Sequence, residues 1–169
     1  MDIELKKLSF SDEMDIYNML QEIPNEENGF RNGCKGLSYD EYKEWLTHSE
    51  NMANGIGLED WMAPQNTYWL YVNGKPVGMG KLRHRLTEKL KEDGGHMGYA
   101  IAPSYRNCGY GKILVKYLVN EAKKMGIDRL LITIQNHNTA SLQVALSNGG
   151  VVEKANDIRT YIWVDCNAC

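Results

Sequence analysis

Arg106, Gly109 and Gly111 stand in a short turn, Ser104–Gly111 (SYRNCGYG), between an apolar run ending at Ile101 and an amphipathic run beginning at Lys112. A strand that feeds a helix through such a turn leaves unpaired backbone N–H groups aimed at one point, with the helix dipole behind them. Glycine at 109 and 111 lets the main chain approach a ligand closely, and Arg106 and Lys112 add positive charge. The chemistry this arrangement offers is that of an anion cradle. A Walker-type phosphate loop would need Gly at 106 and Ser or Thr at 113, where Arg106 and Ile113 stand. The dinucleotide-binding fingerprint would need Gly or Ala at 114, where Leu114 stands.

Other reactive residues are weaker signals. Cys108 lies inside the turn, where a helix start would stabilise a thiolate, but its expected contribution is a backbone amide. Cys166 and Cys169 form a CxxC pair with no second pair to complete a zinc site, so no metal is expected. The basic stretch 75–91, with its run KLRHRLTEKLK, is short and lacks interleaved aromatic residues, which argues against nucleic acid as a partner. Tyr39, Tyr42, Trp45, Trp61, Tyr68 and Trp69 are read as core, with an acceptor pocket as the alternative.

The elements that must position the turn follow from periodicity. Ile3, Leu5 and Leu8 suit a first strand, and Ser11 with Asp12 and Glu13 suits the start of a helix closed by Pro24. Residues 25–36 are polar, rich in Gly and Asn, and read as a loop. Ser38 and Glu41 form a capping-box pattern before a second helix. Asn73–Gly74 between two apolar runs predicts a tight hairpin of strands 68–72 and 76–83. A short helix over 84–93, a strand over 96–101 and a long helix over 112–125 come next. The nearly continuous apolar run in 129–135 predicts a buried strand. Asn138 caps a last helix to about 148, and two strands near 151–155 and 158–164 finish the chain. The order predicts an α/β fold: a central mixed, mostly antiparallel sheet with helices on both faces.

The chain has 169 residues, 43% hydrophobic and 24% charged, enough to bury a core as a single domain spanning 1–169. No apolar run is long enough to span a membrane, and the charged N-terminus does not read as a signal peptide, so the expectation is a cytoplasmic protein. Residues 1–60 hold 14 acidic residues against 5 Lys/Arg, a net of −9, and the rest carries the balance, 8 against 14 or +6. Simple solvation accounts for this, as does a later part that meets an anion while the earlier part faces a cation.

The Arg-x-x-Gly-x-Gly pattern at 106–111, together with Leu82–Leu86 (LRHRL), Gly94–Arg106 (GGHMGYAIAPSYR) and Asn138–Gly150 (NTASLQVALSNGG), resembles the GNAT (GCN5-related N-acetyltransferase) superfamily, and more narrowly a bacterial branch of it. The likeness covers roughly 68–164 well and the first 60 residues by element order. It implies a splayed pair of parallel strands whose gap admits the pantetheine arm of acetyl-CoA. Residues 1–67 would form the acceptor side and 68–164 the acetyl-CoA side.

The resemblance also implies roles. Backbone groups at Ile101, Ala102 and Pro103 would bond pantetheine, and an N–H at Ile101 or Ala102 would meet the oxyanion. Amides of Asn107, Cys108, Gly109, Tyr110, Gly111 and Lys112 would hold the pyrophosphate beside Arg106. Asn138 and Ser141 would lie along the pantetheine and its reacting end. His96 is the candidate base, with a buried structural histidine as its alternative and His84 as a second candidate. The family's usual acid, a tyrosine seven residues beyond the Asn, is replaced by Ala145; Ser141, Tyr99 and Tyr110 are its stand-ins. The expected activity is acetyl transfer from acetyl-CoA, with no metal, to the primary amine of a small-molecule or peptide acceptor, cationic in view of the acidic N-terminal part. A non-catalytic acyl-CoA-binding regulatory module is the alternative. Members of this fold often dimerise, which makes a homodimer the expectation.

Overall fold

A computed structural model describes residues 1–168. The first strand, β1 (Ile3–Lys7), leads to helix α1 (Met14–Glu22). Ser11 does not cap this helix. Its hydroxyl pairs with Ser9 Oγ at 2.9 Å, and Asp12 accepts from the Ser9 N–H at 2.8 Å and from Trp69 Nε1 at 2.7 Å. Those bonds hold 9–12 in a turn and delay the helix to Met14. The stretch expected to be only a loop contains a small hairpin, β2 (Glu26–Glu27) and β3 (Phe30–Arg31). It turns on Asn28 and Gly29 at φ 52° and 85°, the left-handed pair a type I′ turn demands.

Helix α2 (Tyr39–Ala53) starts on the expected capping box: Ser38 Oγ accepts the Glu41 N–H at 3.2 Å, and Glu41 Oε1 accepts the Ser38 N–H at 2.9 Å. Strands β4 (Gln65–Val72) and β5 (Lys75–Arg83) form the expected hairpin over Asn73–Gly74, each longer than predicted. Then follow α3 (Glu88–Glu92), β6 (Met97–Ile101), a 3-10 turn at Pro103–Tyr105, and α4 (Tyr110–Lys124). The chain ends with β7 (Arg129–Gln135), α5 (Thr139–Ser147), β8 (Val151–Ala155) and β9 (Arg159–Asp165).

The strands form two main antiparallel ladders, ordered β1-β4-β5-β6 and β7-β9-β8. The divide between them falls at β6 and β7, the pair expected to splay, which α4 connects. Helices cover both faces. On one, α4 packs onto β5 through Gly78 and Gly80, where an added Cβ would lie 3.5 Å from Leu114 and 2.9 Å from Leu118. Only the missing side chains let the helix come this close. Leu114, Leu118, Leu130 and Ile162 are buried there. On the other face Ile16, Leu20, Leu46 and Trp69 pack over Met79. Among the described residues no helix is long and apolar enough to cross a membrane.

Candidate functional site

Strand β6 is the outer strand of its sheet, and its pairing decides which backbone groups remain for a ligand. Ala102 N–H donates to Val77 C=O at 2.8 Å, and Arg83 N–H donates to His96 C=O at 2.7 Å. With Gly78 opposite Ile101 and Lys81 opposite Gly98, this fixes the ladder on residues 96, 98, 100 and 102. By the alternation of an antiparallel pair, the N–H and C=O groups of Met97, Tyr99 and Ile101 point out of the edge, away from β5. The Ile101 N–H is therefore open to the gap. The Ala102 N–H is not: its bond to Val77 occupies it, so the donor expected from Ile101 or Ala102 can only be Ile101. Pro103 has no N–H, and its C=O takes the Arg106 N–H at 3.4 Å.

At the far end of β6 the turn enters α4. Asn107 and Gly109 adopt φ 61° and 82°, which brings the chain back on itself. Helices α2, α3 and α5 are capped by Ser38, Thr87 and Asn138, whereas α4 starts at Gly109 with no side-chain cap. The first-turn amides of a 15-residue helix, those of Tyr110, Gly111 and Lys112, are thus left for an outside acceptor. A Cβ at Gly109 would meet nothing within 4 Å, so the approach is open. An anionic pyrophosphate fits this end. The Cys108 thiol is exposed and donates to Arg106 C=O at 3.4 Å, leaving its amide as the relevant group.

Two hydroxyls meet between β6 and α5. Tyr99 Oη lies 3.0 Å from Ser141 Oγ. Ser141 is placed by the helix cap, its N–H donating to Asn138 Oδ1 at 3.3 Å. The Tyr99 ring runs past Gly111, 3.5 Å from where a Cβ would be. Burial pushes the Tyr99 phenol up, so it keeps its proton at neutral pH. Ala145 is buried and offers no hydroxyl. Of the three stand-ins for an acid, Tyr99 and Ser141 are brought together as one unit, and Tyr110 opens α4.

His96 is a strut. Its N–H donates to Leu131 C=O at 2.8 Å, and its Nδ1 accepts the Leu131 N–H at 2.9 Å, which puts the ring proton on Nε2. Burial, with Arg83 adding to it, pulls the imidazole down to about 4. To serve as a base it would have to give up its bond to β7, so the geometry supports the structural alternative. His84 is bonded beyond the end of β5, its Nε2 2.9 Å from Asn66 Oδ1. Cys166 is buried, which pushes its thiol up to about 11; Cys169 lies outside the described residues.

Arg106 is already paired. Its Nε donates to Ile101 C=O at 3.1 Å, and its guanidinium makes two bonds to the Glu27 carboxylate, at 2.6 and 3.3 Å. Nothing in the composition pointed to Glu27. The signal that could have led there is the Asn28–Gly29 dipeptide beside it, which marks a hairpin as plainly as Asn73–Gly74 does.

The family model described as "Acetyltransferase (GNAT) family" matches residues 21–149. The chain belongs to the GNAT acetyltransferase family. No curated protein matches it in sequence. Among solved structures it is similar to a GNAT-family acetyltransferase from Streptococcus pneumoniae, 19% identical, with 96% of this chain and 97% of that one covered and a TM-score of 0.63. It is also similar to the Campylobacter jejuni N-acetyltransferase PseH in complex with acetyl coenzyme A, at 12% identity, 97% and 99% coverage and a TM-score of 0.65. A spermidine N-acetyltransferase chimera of Vibrio cholerae SpeG and hSSAT matches at 12% identity, 98% and 96% coverage and a TM-score of 0.65. At these identities the likeness is one of fold.

Proposed function

We propose that the protein transfers the acetyl group of acetyl-CoA directly to a primary amine, with both substrates held at once. The observation that carries this is the unpaired edge of β6 running into the uncapped start of α4. That edge offers N–H groups for a thioester arm, and α4 offers N–H groups for the pyrophosphate. Acetyl-CoA supplies the activated carbonyl. The Ile101 N–H stabilises negative charge on that carbonyl oxygen. Tyr99 and Ser141 deliver a proton to the departing sulfur, and Asn138 fixes Ser141 through the cap. His96 holds the first residues of β6 against β7 and so sets where the gap begins. With His96 engaged, the proton of the acceptor ammonium goes to solvent.

The net charge of −9 over residues 1–60 supports a cationic acceptor. Asp12, Asp15 and Glu22 are bonded to the neutral donors Trp69, Tyr71 and Ser104 rather than to a Lys or Arg side chain. The test is thiol release from acetyl-CoA with a panel of amines. Release with polyamines or lysine side chains supports the reading, and release with anionic amino acids alone overturns the cationic acceptor. The second reading, a non-catalytic acyl-CoA-binding module, draws on Ala145. Saturable binding of acetyl-CoA without release from any amine is the outcome it requires.

A further inference from the structure

The β2–β3 hairpin lies across the gap on the face opposite α4. Phe30 covers Gly98 of β6, its Cδ2 3.3 Å from where a Cβ would be, and Lys81 of β5 holds its Nζ 4.6 Å from the Phe30 ring centroid. On the other side Gly29 meets the Gln135 side chain at the end of β7, and Asn28 Oδ1 lies 2.8 Å from His137 Nε2. One short hairpin therefore touches both lips of the gap. Its tie to the cofactor turn is the pair of bonds between Glu27 and Arg106.

We infer that residues 25–32 form a gate on the acceptor side, and that Glu27 is the positioning residue that links the gate to the occupancy of the cradle through Arg106. This rests on the acetyl-CoA reading of the turn. Arg106 is one residue from the cradle and carries a single positive charge, which Glu27 now holds. A doubly charged pyrophosphate at Asn107–Lys112 competes for that guanidinium. As Arg106 turns to it, the hairpin loses its bidentate anchor and loosens. The Glu27 and Arg106 side chains are 41% and 35% exposed, so solvent screens the pair and the expected coupling is modest, roughly 2- to 5-fold.

The test is amide hydrogen exchange on the full chain, with acetyl-CoA and with pantetheine, which lacks the pyrophosphate, as the probes. In the native protein acetyl-CoA should slow exchange over 106–112 and speed it over 25–32, whereas pantetheine should leave 25–32 unchanged. In Glu27→Gln, 25–32 should exchange fast from the outset, acetyl-CoA should add nothing there, and acetyl-CoA should bind about 2- to 5-fold more tightly. Exchange over 25–32 that is unchanged or slowed by acetyl-CoA, while 106–112 is protected, makes Glu27–Arg106 a fixed strut and overturns the gate alone. Equal effects of acetyl-CoA and pantetheine also overturn it. No protection of 106–112 overturns the cofactor reading, and the gate with it.

Discussion

His96 and Leu131 hold each other by two bonds, N–H to C=O at 2.8 Å and imidazole Nδ1 to N–H at 2.9 Å. The second bond survives only while the ring is neutral. The imidazole titrates at about 4 in the folded chain, below its ordinary 6.5, so between those values the unfolded chain binds more protons. Stability therefore rises with pH from about 4 to 6.5 and is flat above; acidification through that window removes about 3 kcal/mol. His96→Gln keeps an acceptor for Leu131 and cannot titrate. Urea midpoints at pH 7 and pH 4.5 should show a smaller acid loss in the variant than in the native protein. Equal losses would mean that this proton is not linked to folding.

Glycines 111 and 78 predict opposite signatures. An alanine at 111 meets the Tyr99 ring at 3.5 Å, an ordinary contact, and favours the first turn of α4 by up to ~1 kcal/mol. Gly111→Ala should keep or slightly raise stability and leave acetyl-CoA binding nearly unchanged, because its methyl faces Tyr99, Val144 and Ile101 and leaves the first-turn N–H groups free. Gly78→Ala forces a Cβ to 3.0 Å from the Ala100 carbonyl oxygen, so it should cost about 1–3 kcal/mol. Thermal melts and calorimetric titrations of both variants separate the two effects. A loss of stability in Gly111→Ala would show that the first turn of α4 has no room for the methyl beside Tyr99.

Much of this arrangement is legible in the sequence because it is local. The capping residues Ser38 and Asn138, the Asn73–Gly74 turn and the alternation of strand and helix are set by neighbours within a few positions. The turn at 106–111 is of the same kind. Ser11 does not cap α1 because its hydroxyl bonds Ser9, while the distant Trp69 holds Asp12 in the same turn. Which β6 groups face the gap depends on the register with β5, which spacing alone does not reveal. The Glu27–Arg106 and Tyr99–Ser141 contacts join residues 79 and 42 positions apart, and only the closed fold brings them together.

Tyr99 and Ser141 share one hydrogen bond, and a proton passed through both is lost when either is removed. Tyr99→Phe and Ser141→Ala should each lower kcat by roughly 10-fold with little change in acetyl-CoA binding, and the double variant should match the singles within about 2-fold. Independent contributions would multiply instead. The defect should also shrink when the acetyl donor is a thioester of a more acidic thiol, whose thiolate leaves without a proton. A defect that stays constant across donors would make the pair structural.

Lys81 has no carboxylate partner among the described residues: its Nζ donates to Arg31 C=O and lies over the Phe30 ring. Burial, with the charges of Arg83 and Arg31, pulls it down to about 7 from 10.5. Below pH 7 both the folded and the unfolded chain carry the proton, and folding bears the full cost of burying the ammonium. As pH rises from 7 toward 10.5 the folded chain sheds that proton first and the cost is relieved, so stability rises across that window. Lys81→Met keeps the aliphatic stem against Phe30 and carries no charge. It should stabilise the protein by about 1–2 kcal/mol at pH 6, a gain that shrinks toward pH 10. Chemical denaturation at the two pH values decides it: a variant less stable than the native protein at pH 6 would show that the bond to Arg31 outweighs the buried charge.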